Sequence, residues 1–235
     1  MHANQKVIGI IGGASWESTA LYYQLINQLI REKLGNLNSA KMVLYSINYD
    51  PVVRLEQEGK WEEIGKKLAS IAKTIQDAGA DFVILCCNTL HKVAPRIEDA
   101  LDIPFVHIAD AAGGVLTKRG ICKIGLLGTR FTMEDGFYSD RLQQKFGLKV
   151  VLPKAENRIR MDQIIYNELC QGKILSTSKS EVVQMIKEMQ HFGAEAILLG
   201  CTELGMLISA KDAIIPIFDT TQLHVQISVQ MSLSP

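Results

Sequence analysis

The chain has 235 residues, with 25 basic and 25 acidic side chains and a formal net charge of zero. So balanced a surface lacks the electrostatic footprint that nucleic acid or an anionic membrane selects. Apolar residues make up 47% of the chain, which is ordinary for a globular protein, and their runs are too short to cross a bilayer.

The start, Met1–Lys6, runs into Val7-Ile-Gly-Ile-Ile11 and stops at Gly12-Gly13. That run is too short for a secretory signal, so a cytoplasmic location is expected. It is read as the first strand, Lys6–Ile11. Next, Leu21, Leu25, Ile26, Leu29, Ile30 and Leu34 form one helical stripe over Ser18–Leu34, closed by Gly35. A strand follows at Met42–Ile47. A second stripe runs through Trp61, Ile64, Leu68, Ile71 and Ile75 and predicts a helix over Trp61–Ala78. Further strands are expected at Phe82–Cys86, Phe105–Ile108, Lys123–Leu127 and Lys149–Leu152. A third stripe, Val182, Ile186, Met189 and Phe192, precedes strands at Ala196–Leu199 and Ile214–Phe218. Short Val- and Ile-rich strands alternating with helices of this length imply crossover connections, hence an α/β chain with parallel sheets.

The pattern occurs twice. Ala78-Gly-Ala-Asp-Phe-Val-Ile-Leu-Cys-Cys87-Asn-Thr89 matches Phe192-Gly-Ala-Glu-Ala-Ile-Leu-Leu-Gly-Cys201-Thr-Glu203. Upstream, Lys6-Val-Ile-Gly9-Ile-Ile-Gly12 matches Lys123-Ile-Gly125-Leu-Leu-Gly128. Gly9 lies 78 positions before Cys87, and Gly125 lies 76 before Cys201. Two coincidences of register point to two βα lobes related by a pseudo-two-fold. The seam is placed near Ala109–Gly114. The first lobe is therefore expected to comprise residues 1–112 with a returning segment 214–235, and the second 113–213.

Residues at the carboxyl ends of such strands line the ligand crevice, and Cys87 and Cys201 both fall there. A lone free cysteine is usually a small buried apolar residue. Two in register, each followed by a polar residue, favour chemistry. A pair of thiols flanking one carbon can take a proton from one side and return it on the other. Asn88, Thr89, Thr202 and Glu203 stand where the next helices should begin. There a thiolate and a substrate carboxylate would both be favoured by free N–H groups. Ordinary capping is the plainer role for these residues, and the two roles are compatible. Arg54, Arg158 and Arg160 are candidates to read an acidic side chain with a two-pronged guanidinium, although each could equally be a solvated surface residue. His91, one turn beyond Cys87, would suggest acyl transfer if it paired with the sulfur, but it is read as a support; His107 ends a strand. Cys86, Cys122 and Cys170 are read as core fillers.

Several chemistries are disfavoured. Five cysteines, an odd number in a chain of this size, do not suggest a disulfide framework, and zinc-ligand spacing is absent. Gly9, Gly12 and Gly13 do not make the dinucleotide spacing, and neither a phosphate-loop lysine nor a nucleophile elbow occurs. The glycines are expected to let backbone approach a small ligand.

Gly12-Gly-Ala-Ser-Trp-Glu-Ser-Thr19, Tyr22-Tyr23, Ile26-Asn27, Cys87-Asn-Thr89 with His91, Leu126-Leu-Gly-Thr129 and Gly200-Cys-Thr-Glu203 together resemble the aspartate/glutamate racemase family, in its aspartate and broad-specificity amino-acid racemase branch. The resemblance covers nearly the whole chain. It implies two flavodoxin-like lobes with the active site in the crevice between them, no pyridoxal phosphate or metal, and a homodimer. It implies that Cys87 and Cys201 flank the substrate Cα, with Asn88, Thr89, Thr129 and Thr202 around the α-carboxylate. Some relatives carry Thr in place of Cys87 and are restricted in which enantiomer they process; retention of Cys implies racemisation in both directions. Ala14 stands where close relatives often carry Met beside the substrate, and Arg160 where they tend to carry Lys, two departures that bear on pocket size and on side-chain preference. The expected partner is a small amino acid, aspartate first, with glutamate or a wider set as options. The alternatives are a dicarboxylate isomerase or decarboxylase on the same fold, and a non-catalytic amino-acid sensor.

Overall fold

Strand β1 (Ile8–Gly12) is buried at all five residues. A strand buried on both faces needs a neighbour on each side and helices above and below. The computed structural model, which describes residues 5–234, supplies both. Met1–Asn4, the start of the N-terminal stretch considered above, lie outside the described residues. In the first lobe β1 pairs with β2 (Met42–Ser46) and β3 (Phe82–Leu85), and β4 (Phe105–Val106) lies beyond β3. All are parallel, in the order β2-β1-β3-β4.

Alternate residues of β1 serve different layers. Ile8 and Ile10 pack with Tyr22, Ile26 and Ile30 of α1 (Trp16–Leu34). Ile11 packs in the opposite layer with Ile64, Leu68, Ile71 and Ile75 of α3 (Trp61–Asp77). In chain order α2 (Asp50–Gln57) follows β2 and α4 (Ala94–Ala100) follows β3. Helix α1 starts where the Ser15 hydroxyl accepts the Ser18 N–H, which fills one of the open donors of the first turn.

The second lobe repeats the plan. Its strands β5 (Lys123–Gly128), β6 (Lys149–Val151), β7 (Ala196–Gly200) and β8 (Ile217–Asp219) are parallel in the order β6-β5-β7-β8. The helices of this half are α5 (Ile108–Lys118), α6 (Arg130–Glu134), α7 (Ser139–Phe146), α8 (Ala155–Asn167), α9 (Ser176–His191) and α10 (Leu204–Leu207); α11 (Thr220–Leu233) starts here and ends in the first lobe. Met161, Ile164 and Ile165 of α8 and Val182, Met185, Ile186 and Met189 of α9 pack with Ile197 and Leu199 of β7.

One compact unit is the chain up to Ile108 with the segment from His224; the other is Ala109–Leu223. The first boundary falls at the start of α5, four residues before the expected 112 and at the edge of the seam placed near Ala109–Gly114, while the second falls inside α11 at 223/224 rather than at 214. The last strand was expected to return to the first lobe. Instead β8 pairs with β7 through Ile197↔Ile217, Leu198↔Phe218 and Leu199↔Asp219. It holds in the second sheet the place that β4 holds in the first. The segment that does return begins at His224. Its Val225 and Val229 join the Ile8–Tyr22 layer, and Ser232 exchanges hydrogen bonds with the Lys6 backbone.

Gly9 and Gly13 permit close packing around β1. A Cβ on Gly9 would lie 2.4 Å from Ile75 Cγ2, so its absence lets α3 close on the sheet. Gly13 has φ +93°, and a Cβ there would lie 2.2 Å from the Ile47 carbonyl oxygen.

Candidate active site

Cys87 and Cys201 hold the same place in the two lobes. Gly9 pairs with Val83 and Gly125 with Ile197, and each cysteine lies four residues beyond that partner. Both therefore follow the carboxyl end of the third strand of their lobe, where loops of open parallel sheets take ligands. The equivalence is one of hydrogen-bond register as well as of sequence.

In the first lobe the Cys86 N–H donates to the Ile11 carbonyl at 3.0 Å and extends the ladder by one residue. Cys86 is thereby held in the α1-side core, and burial pushes its thiol well above the usual range. Cys87 turns the other way, is half-buried, and packs beside the layer formed by Val52, Leu90 and Ile11. His91 secures this turn from behind. Its Nδ1 lies 2.7 Å from the Cys87 carbonyl oxygen, and its Nε2 lies 3.2 Å from the Ile108 N–H. These partners assign the proton to Nδ1, which donates to the carbonyl, while Nε2 accepts. Both ring nitrogens are thus engaged with backbone, in keeping with the support role, and His107 stacks edge-on at 4.5 Å.

Asn88 and Thr89 are buried, but no long helix starts there. A 3-10 turn, Thr89–Val93, comes first, and α4 begins at Ala94 with Pro95 in its opening turn. Proline suits that position because its missing N–H would have had no partner. Ala14 is buried among Ile11, Ile47 and Val52.

In the second lobe Thr129 follows β5 and caps α6; its hydroxyl accepts the Thr132 N–H at 3.3 Å. Cys201 is buried one residue past β7. Its thiol donates to Glu203 Oε2 at 3.0 Å, and the Thr202 hydroxyl donates to the same oxygen at 2.6 Å. Here the expectation of a thiolate-favouring helix start fails. Helix α10 has only four residues, and Glu203 makes no side-chain cap to it. Burial, then the Glu203 charge and hydrogen bond, push the Cys201 thiol well above its usual range. The Glu203 carboxylate was visible in the Cys-Thr-Glu run, but its turn back toward sulfur was not.

A family model described as Asp/Glu/Hydantoin racemase matches residues 11–227. The chain belongs to the Asp/Glu/Hydantoin racemase family. It is similar to a crystal structure of a candidate Asp/Glu racemase from Yersinia pestis, with 44% identity, a TM-score of 0.93, and coverage of 97% of this chain and all of that one. It is also similar to an aspartate racemase homologue from Pyrococcus horikoshii OT3, with 34% identity, a TM-score of 0.85 and the same coverage. The broad specificity amino-acid racemase RacX of Bacillus subtilis is 22% identical over 97% of this chain and 99% of its own length.

Within this family member the three candidate arginines already have protein partners. Arg54 lies on the exposed face of α2, paired with Asp50 at 2.9 Å. Arg158 donates to Glu134 at 2.8 Å and to the Pro153 carbonyl. Arg160 bonds Glu181 at 2.7 Å and lies 3.2 Å from Glu168. The reason is spacing: Arg160 sits in α8 opposite Glu181 of α9, and the two satisfy each other. Among the described residues, no group of three or more His, Cys, Asp or Glu side chains is placed to hold a metal ion, and no helix is long and apolar enough to cross a membrane.

Proposed function

We propose that this chain is a cofactor-independent amino-acid racemase acting on aspartate, with glutamate or a wider set of amino acids as the alternative substrates. One observation carries the reading: two cysteines occupy equivalent positions past equivalent strands, in a chain of the racemase family. One sulfur, as thiolate, removes the α-proton; the other, as thiol, donates to the opposite face. The roles exchange with direction, as general acid and base must. The side chains of Asn88, Thr89, Thr129 and Thr202 hold the α-carboxylate and stabilise the charge that develops on it. Exclusion of water strengthens those contacts, which matters because an amino-acid α-proton is a very weak acid. Pyridoxal phosphate and metal have no part in the proposed reaction. The names of the relatives support the substrate class, and the working form is proposed to be a cytoplasmic homodimer.

The test is a substrate panel. Purified protein, without added pyridoxal phosphate and with chelator present, is incubated with each enantiomer of aspartate, glutamate and the common amino acids. Chiral chromatography is expected to show both aspartate enantiomers approaching an equal mixture. No racemisation of any amino acid would overturn the proposal.

A further inference from the structure

We infer that Glu203 is the proton partner of Cys201: it keeps that sulfur as a thiol at rest and takes its proton when Cys201 must act as the base. The catalytic half of this inference rests on the racemase reading; the thiol–carboxylate pair does not.

The geometry is local to one turn of chain. Cys201 is the first residue past β7, and Glu203 sits two residues on, before a four-residue helix that its carboxylate does not cap. The carboxylate instead lies 3.0 Å from Sγ, within the range of a sulfur hydrogen bond. The Thr202 hydroxyl donates to the same oxygen and holds it on the sulfur side. The other titratable groups facing the pair are Cys170, in the 3-10 turn Leu169–Gln171, and Asp219, at the end of β8. Neither of these two is cationic. Asp219 is half-buried, and desolvation, with the Glu203 charge adding to it, holds its carboxyl above the usual range.

A buried sulfur among acidic groups cannot release a proton to water cheaply. Transfer to Glu203 avoids that cost, because one negative charge merely moves between neighbouring atoms. The step balances: the S–H bond of Cys201 breaks, an O–H bond forms on Glu203, and the thiolate keeps the electron pair. The thiolate then takes the α-proton and becomes thiol again, and Cys87 supplies its own proton to the other face. The cycle closes when the proton held by Glu203 is lost to solvent and Cys87 regains one.

The test compares wild type with Glu203→Gln and Glu203→Asp. Alkylation of Cys201 by iodoacetamide is followed by peptide mass spectrometry from pH 6 to 10, and racemisation is measured over the same range. In Glu203→Gln the like charge is gone, so Cys201 is expected to alkylate about tenfold faster at pH 8. Racemisation is expected to fall about a hundredfold at pH 7 and to climb with pH, because the proton must now leave to hydroxide. Glu203→Asp keeps a carboxylate and is expected to recover part of the rate and the slow alkylation. An alkylation profile shared by wild type and Glu203→Gln would overturn the pairing. Altered alkylation with an unchanged racemisation rate would overturn the proton-accepting role. If wild type racemises nothing, the racemase reading fails, while the alkylation arm still decides whether Glu203 controls the sulfur.

Discussion

Replacing Glu56 by Gln should stabilise the protein above neutral pH. Glu56 lies on α2 and is 3% exposed; its carboxyl oxygens are each 3.5 Å from the Tyr49 hydroxyl. Burial raises its pKa from the ordinary 4.5 to about 7, with the Tyr49 hydrogen bond opposing weakly. Between those values the unfolded chain gives up a proton that the folded chain keeps, so stability falls as pH rises through this window. At ~1.4 kcal/mol per tenfold difference in proton affinity, the loss above pH 7 is roughly 3 kcal/mol. His224 works in the opposite sense. It is buried between the Tyr22 hydroxyl and the Val106 carbonyl, and burial lowers its pKa from 6.5 to about 4. Its contribution is intact above pH 6.5 and is lost as pH falls toward 4. Between pH 4.5 and 6.5 the two slopes offset each other. Urea unfolding of wild type should therefore show little net slope from this pair there. Glu56→Gln should gain roughly 3 kcal/mol at pH 8 and reveal stability that rises from pH 4.5 to 6.5. A variant no more stable than wild type at pH 8 would refute the assignment.

Gly13→Ala forces a Cβ to within 2.2 Å of a carbonyl oxygen at φ +93°. It should cost at least about 2 kcal/mol in urea unfolding, and a cost near zero would remove the steric argument. Arg160→Met removes the partner of Glu181 and of the buried Glu168. It should lower stability by about 1 kcal/mol, the pair being partly exposed, while racemisation of aspartate stays within about twofold. Lost racemisation with unchanged stability would return Arg160 to the substrate.

Much of the fold was legible because both lobes repeat one rule. All eight strands stand where short Val- and Ile-rich runs predicted them, with ends shifted by a few residues. The stripes over α1 and α3 gave those helices because their burial is one-sided and periodic. The cysteine equivalence was readable for the same reason: register is set by backbone pairing, and sequence spacing reports it. Contacts decided by side-chain direction were not readable. Nothing local announces that Glu203 turns toward Cys201, that Arg160 is taken by α9, or that Glu56, in a polar run, lies inside. Strand β8 was misassigned because a three-residue strand carries too little pattern to name its partner.

The central claim is tested most directly by proton exchange at Cα. Aspartate incubated in heavy water with wild type should gain one deuterium at Cα in the enantiomer formed. Cys87→Ser and Cys201→Ser should each abolish racemisation. Full exchange and turnover in both serine variants would show that the sulfurs do not handle the proton, and the two-thiol account would be wrong.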